Sequence, residues 1–201
     1  MAVKMQHRAI VTRRKILEAA ITLFAEKGFN GTAVDDISLA AGANKQRIYA
    51  YFGSKRKLFE AALLEVFQRV KLFGSSTLEK AEREPENLSR IVLESFLKLH
   101  AEQPVLWRLL SWANLEGGES VKVLEAARRD ENSALKVIFE RAVAAGVIKP
   151  LNFESWLFIL LGVSCFYYSN RHTLEYTLND NLSAPEWQEQ LVSDVQMLFS
   201  K

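Results

Sequence analysis

A chain of 201 residues that is 49% hydrophobic and 25% charged has apolar material for one sizeable core or two modest ones. Its single cysteine, Cys165, excludes an internal disulfide and sits in an apolar run, which reads as an inert, buried thiol in a reducing cytoplasm. Net charge is only +2, but residues 1–57 hold eleven Lys/Arg against four acids and the other 144 hold fifteen against twenty. A basic module built to meet a polyanion, joined to a larger acidic body, follows from that split.

Apolar positions recur at three and four rather than two, so the elements are helices. The first is expected from Thr12 to Lys27, with Ile16, Leu17, Ala20, Ile21 and Phe24 as its stripe and Gly28 as a left-handed stop. Thr32 is expected to open a short second helix, with Asp35 three residues on as a variant capping box. Gly42 permits a tight turn, and a third short helix covers Asn44–Tyr51. Ser54 caps a fourth that runs to Glu82, with Leu72–Ser76 as a softer point where its tilt could change. Pro85 begins a fifth helix to His100 and Pro104 a sixth to Glu116. A seventh spans Ser120–Ala145, an eighth Phe153–His172 and a ninth Pro185–Ser200; residues 177–184, "TLNDNLSA", form a polar loop. The class is all-α with about nine helices in two parts: a basic domain over residues 1–54 and a larger domain over 55–201.

Several function classes lack their signatures. The run "WLFILLGVSCFYY" is too short to cross a bilayer, and the N-terminus has no apolar signal region. His7, His100 and His172 lie far apart, and neither a glycine-rich phosphate loop nor a nucleophile elbow occurs. No enzyme, cofactor, metal or membrane association is expected. His100 and His172 read as structural or surface groups.

The stretch "NKQRIYAYFGSKRK" (44–57) holds five cations and three aromatics without one acid. Two short helices around the "AAGAN" turn suit a helix-turn-helix, whose second helix enters the major groove. Ile48 and Phe52, four apart, would pack inward while Lys45, Gln46 and Tyr49 project outward with Arg47 beside them. Arg47 and Lys45 can pair with guanine, Gln46 with adenine, and Tyr49 and Tyr51 can reach phosphates. Ser54-Lys55-Arg56-Lys57 puts three cations where the helix dipole disfavours them, which an external phosphate would offset. An ordinary solvated basic face is the alternative, weighed evenly for Arg56 and Lys57 and set aside for Lys55.

"AAITLFAEKGFNGTAVDDISLAAGANKQRIYAYFGSKRKLF" resembles the DNA-binding signature of the TetR family of bacterial transcriptional regulators, over roughly residues 10–60. The resemblance implies that Thr32, Asn44, Lys45, Gln46, Arg47, Tyr49, Tyr51 and Lys55 lie at the DNA surface. It also implies an allosteric repressor, a homodimer through its last two helices, with a small-molecule effector in the larger domain. Asn-Lys-Gln-Arg at 44–47 departs from the small residues common there, which bears on the operator sequence.

The larger domain holds all four tryptophans. Trp107, Trp112, Tyr167 and Asn170 are expected to line an effector pocket, although aromatics at helical spacing also serve as plain core. Ser155, Gly162 and Ser169 form a small-residue stripe, and Trp187, Leu191, Val195 and Leu198 an apolar face. Together they are expected to make the dimer seam. The competing class is a helical small-molecule carrier or enzyme whose basic face meets a membrane or RNA.

Overall fold

The stripe Ile16, Leu17, Ala20, Ile21 and Phe24 is buried along one side of the first helix, as its spacing requires. The computed structural model describes residues 2–70, 75–178, 181, 182 and 184–201. These form α1 (Ala2–Gly31), α2 (Val34–Ala41), α3 (Lys45–Phe52), α4 (Lys55–Arg69), α5 (Ser75–Arg83), α6 (Leu88–Glu102), α7 (Pro104–Leu115), α8 (Glu125–Ala144), α9 (Phe153–Leu178) and α10 (Pro185–Phe199). Short 3₁₀ segments occupy Pro85–Asn87 and Glu119–Leu124. Among the described residues there is no strand, only an isolated bridge between Ile148 and Ser200, and no helix is long and apolar enough to cross a membrane.

The helix boundaries depart from expectation in instructive places. The first helix starts at Ala2 instead of Thr12. The long fourth helix is two: α4 stops where Val70 turns to extended backbone (φ −111°, ψ 111°), and α5 begins at Ser75. Of the softer point expected at Leu72–Ser76, residues 72–74 lie outside the described residues, as do 179, 180 and 183 of the polar loop. Pro85 opens a 3₁₀ turn before α6, because a missing N–H costs nothing in a first turn.

The chain packs as two compact units, residues 1–71 with 103–127, and residues 72–102 with 128–201. In the first, α1 packs against α2, α3, α4 and α7. Phe24, Phe29 and Phe59 form a ring cluster, Phe59 lying edge-on to Phe24 at 5.0 Å. The α4 stripe Leu58, Phe59, Ala62, Leu63, Val66 and Val70 is buried, and α4 packs on α1, α3, α7 and the 119–124 segment, all within this unit.

Helix α7 closes the end of α1. Arg108 Nε donates to the Ala25 carbonyl at 2.8 Å, satisfying an acceptor that the break in α1 at Gly28 leaves open. Gly28 breaks α1 where a stop was expected, but with φ 72° and ψ 179° it lies outside the left-handed helical region. A Cβ built there would lie 2.7 Å from the Trp112 ring. Only glycine provides both that backbone and that clearance.

In the second unit, α5, α6, α8, α9 and α10 enclose a core centred on the fully buried Trp156. Its Nε1 donates to Ser89 Oγ at 3.0 Å, and Phe139 and Phe153 pack around it. The C-terminus is tied back by Lys149 N, which donates to the Phe199 carbonyl at 2.9 Å.

Candidate nucleic-acid interface

Helix α2 ends at Gly42, whose φ of 59° and ψ of 36° give the left-handed turn leading into α3. Asn44 caps α3: its Oδ1 accepts from Arg47 N at 2.9 Å, occupying a donor that the first turn would otherwise leave open. Ile48 and Phe52 turn into the core, 1% and 7% exposed. Lys45, Gln46, Arg47 and Tyr49 are therefore exposed together, and Tyr51 is half-buried. Lys45 forms an ion pair with Asp35 on α2, both groups well exposed, so the pair is worth little by itself and sets the direction of Lys45.

Thr32 departs from its expected place. Its side chain is 1% exposed, and its hydroxyl lies 2.7 Å from the Gly28 carbonyl and 3.1 Å from that of Leu23. The side chain faces the fold instead of a ligand. Nor does it cap α2, whose N-cap is Ala33 without a side-chain bond. The hydroxyl is consumed in bridging the kink that Gly28 makes in α1.

At the start of α4, Ser54 Oγ accepts from Lys57 N at 3.1 Å. Lys55 Nζ sits 4.5 Å and the Arg56 guanidinium 4.9 Å from the centroid of Phe29, so one ring faces two of the three cations. Arg56 also donates to Ser120 Oγ at 3.3 Å. Burial lowers the Lys55 pKa, and Glu116 acts in the opposite sense. Part of the compensation that the sequence seemed to demand from outside is thus internal, leaving Lys57 the most freely solvated of the three.

The four effector candidates do not share a unit. Trp107 and Trp112 belong to the first, Tyr167 and Asn170 to the second. Trp112 is committed to Gly28. Tyr167 is buried, donates to the Leu182 carbonyl and stacks on Trp187 at 5.6 Å, while the Asn170 amide donates back to the Phe166 carbonyl. These are packing roles. The ring that reaches a cavity is the next one, Tyr168. It lines a cleft of about 470 Å³ with Arg90, Glu94, Leu97, Lys98 and Gln188.

Behind Tyr168 lies a polar cluster that no sequence pattern announced. The His100 ring stacks on Tyr168 at 5.5 Å. Its Nδ1 is 2.9 Å from the Phe96 carbonyl and 2.7 Å from Ser164 Oγ, and Nε2 is 3.3 Å from Cys165 Sγ. A carbonyl can only accept, so Nδ1 carries the proton and Nε2 accepts from the thiol. Burial pushes the His100 pKa down to about 4 and raises that of Cys165. The histidine is structural, as its isolation in sequence suggested.

The expected dimer face divides. Val195 is 5% exposed because the inward side of α10 is Val192, Val195 and Phe199, so it belongs to the protomer's own core. Trp187 and Leu191 are partly buried against that core, whereas Leu198 is 64% exposed. On α9, Ser155 and Ser169 are exposed and Gly162 is half-buried with open space where a Cβ would stand. Phe158 and Phe166, four residues to either side of that glycine, are 75% and 58% exposed. These aromatics were not singled out from the sequence because the whole helix is apolar.

Residues 16–62 match the family described as bacterial regulatory proteins, tetR family, and residues 85–197 match the tetracyclin repressor-like C-terminal domain. The chain is similar to the HTH-type transcriptional repressor NicS of Pseudomonas putida, 29% identical over 176 residues, covering 86% of this chain and 82% of that protein. It is also similar to the HTH-type transcriptional repressor SCO4008 of Streptomyces coelicolor, 38% identical over 128 residues, 63% of this chain and 61% of that one. Among solved structures, a TetR family transcription regulator from Marinobacter aquaeolei shares the fold with a TM-score of 0.69. It is 17% identical, and the match covers 98% of this chain and 99% of that one.

Proposed function

The chain belongs to the TetR family of bacterial regulatory proteins, and we propose that it acts as a cytoplasmic homodimeric repressor of a palindromic operator, released by a small molecule. The observation that carries this is the division of α3: Ile48 and Phe52 are buried while Lys45, Gln46, Arg47 and Tyr49 stand exposed on a capped helix. Arg47 and Gln46 are the base readers, and Lys45 joins them from its ion pair with Asp35. Asn44 holds the first turn. Tyr49, Tyr51 and Lys55 meet phosphates. Repression is the direction taken from the names of the two relatives.

The exposed aromatics of α9, flanking Ser155, Gly162 and Ser169, are the seam by which two protomers join, with Leu198 of α10 at its margin. The effector site is the cleft at Tyr168. Its volume falls in the range of small-molecule sites, and Leu97, Tyr168 and Val192 give it an apolar floor beside the paired charges of Arg90 and Glu94, which suits a compact, mostly apolar molecule. Release requires the effector to prefer an arrangement of the protein that does not bind DNA.

A mobility-shift series in rising salt tests the DNA reading. Binding should weaken steeply, because each phosphate contact releases counterions. Salt-independent binding, or none to any genomic fragment, contradicts it.

A further inference from the structure

Helix α1 continues well past its own core. From Gln6 to Lys15 no side chain is buried, and burial begins with Ile16 and Leu17. Ten such residues extend about 15 Å, a length that spans several phosphates along one strand. Residues 1–17 carry Lys4, Arg8, Arg13, Arg14 and Lys15 and not one Asp or Glu. Solvated helices usually gain support from acid–base pairs four residues apart. Arg69, Arg83, Arg90 and Lys98 have such partners here. The overhang contains no acid to supply one, and Glu18, the first acid beyond it, pairs with Arg69.

The position of this overhang is set at its root. The Arg13 guanidinium lies 4.8 Å from the centroid of Phe52, the last residue of α3. The overhang therefore leaves the core beside the C-terminal end of α3, and its unpaired positive charge calls for a polyanion. We propose that residues 8–15 of α1 form a second DNA-contacting element, which lies along phosphates beside the groove that α3 enters and reads no bases. This rests on the reading of α3 as the base-reading helix and adds to it.

The test uses the full-length protein and its Arg8→Gln/Arg14→Gln variant, both substitutions lying on exposed positions. Affinity is measured across a salt series on a selected operator duplex and on a random one. The variant should weaken by the same factor on both duplexes and keep its base preference. Its plot of log affinity against log salt should be shallower by about 0.9 for each phosphate that is no longer neutralised. Hydroxyl-radical footprints should show less protection at the sugars flanking each half-site. An unchanged slope and footprint, with the parent binding normally, overturns the proposal and leaves the role of α3 standing. A weakening confined to the operator also overturns it, since the arm would then be reading sequence. If the parent binds no duplex, both readings fall.

Discussion

Gly28 and Trp112 are 84 positions apart in sequence, and their contact closes the first unit. Any side chain at Gly28 meets two penalties: a positive φ, and an indole that a Cβ would approach to 2.7 Å. Each costs about 1–3 kcal/mol. Gly28→Ala should therefore lower unfolding stability by at least about 2 kcal/mol, read from urea denaturation, and a drop under about 0.5 kcal/mol would contradict the wedge. His100 gives a second prediction at this scale. The unfolded imidazole titrates near 6.5 and the buried one near 4, so between those values the unfolded chain binds the proton and the folded chain does not. The stability that the neutral histidine contributes is present above pH 6.5 and lost as pH falls toward 4, on the order of 3 kcal/mol in full. The urea midpoint of the parent should drop more from about pH 7 to about pH 4.5 than that of His100→Gln. Equal drops would place the titrating group elsewhere.

Among the elements, α9 is the proposed seam between protomers. Gly162 has open space where a Cβ would stand, so the first atom of a Gly162→Leu side chain meets no neighbour, and a glycine replaced inside a helix even gains up to about 1 kcal/mol. It should abolish the dimer while leaving the fold intact, and Phe158→Glu should do the same; sedimentation velocity decides both. Leu191→Glu is a poorer probe, because that side chain also packs on the protomer's core. What was legible in the sequence here, and what was not, has a physical logic. The residues of α3 were readable because a four-residue spacing of Ile48 and Phe52 leaves one way to orient a short helix. On α10 the pattern was ambiguous, since Trp187, Leu191, Val195 and Leu198 and the trio Val192, Val195 and Phe199 are both apolar. Periodicity identifies a face without naming its neighbour. Thr32 was misplaced for a similar reason: a capping residue and a kink-bridging residue carry the same hydroxyl, and only the path of α1 past Gly28 separates them.

At the scale of the whole molecule, the charge split along the chain runs parallel to the proposed division of labour. The basic end presents the exposed face of α3, while the acidic remainder supplies the cleft at Tyr168 and the aromatics of α9. The expected effector residues are the part of the sequence reading that the fold separates most. Four aromatic and polar groups at helical spacing looked convergent, but α7, which carries Trp107 and Trp112, packs with α1 and α4. Folding of a middle segment back onto the N-terminal unit leaves no trace in local periodicity. The same arrangement makes α7 part of the support for the DNA-contacting helices, since Arg108 holds the end of α1 and Asn30 donates to Glu116 just beyond α7.

The central claim is that exposed residues of α3 read a two-fold symmetric DNA site. It is tested most directly by sequencing genomic fragments selected by the purified protein, by Arg47→Ala and by Lys55→Ala. The parent should enrich a palindrome whose half-sites lie one helical turn apart, about 34–36 Å. Arg47→Ala should relax the preference at one position of each half-site, at a cost of about 1–3 kcal/mol on the best sequence. Lys55→Ala should enrich the same palindrome with lower yield on every sequence, because a phosphate contact carries no base information. Enrichment of no sequence over random DNA, or an identical weakening of both variants on specific and random fragments, would contradict the account.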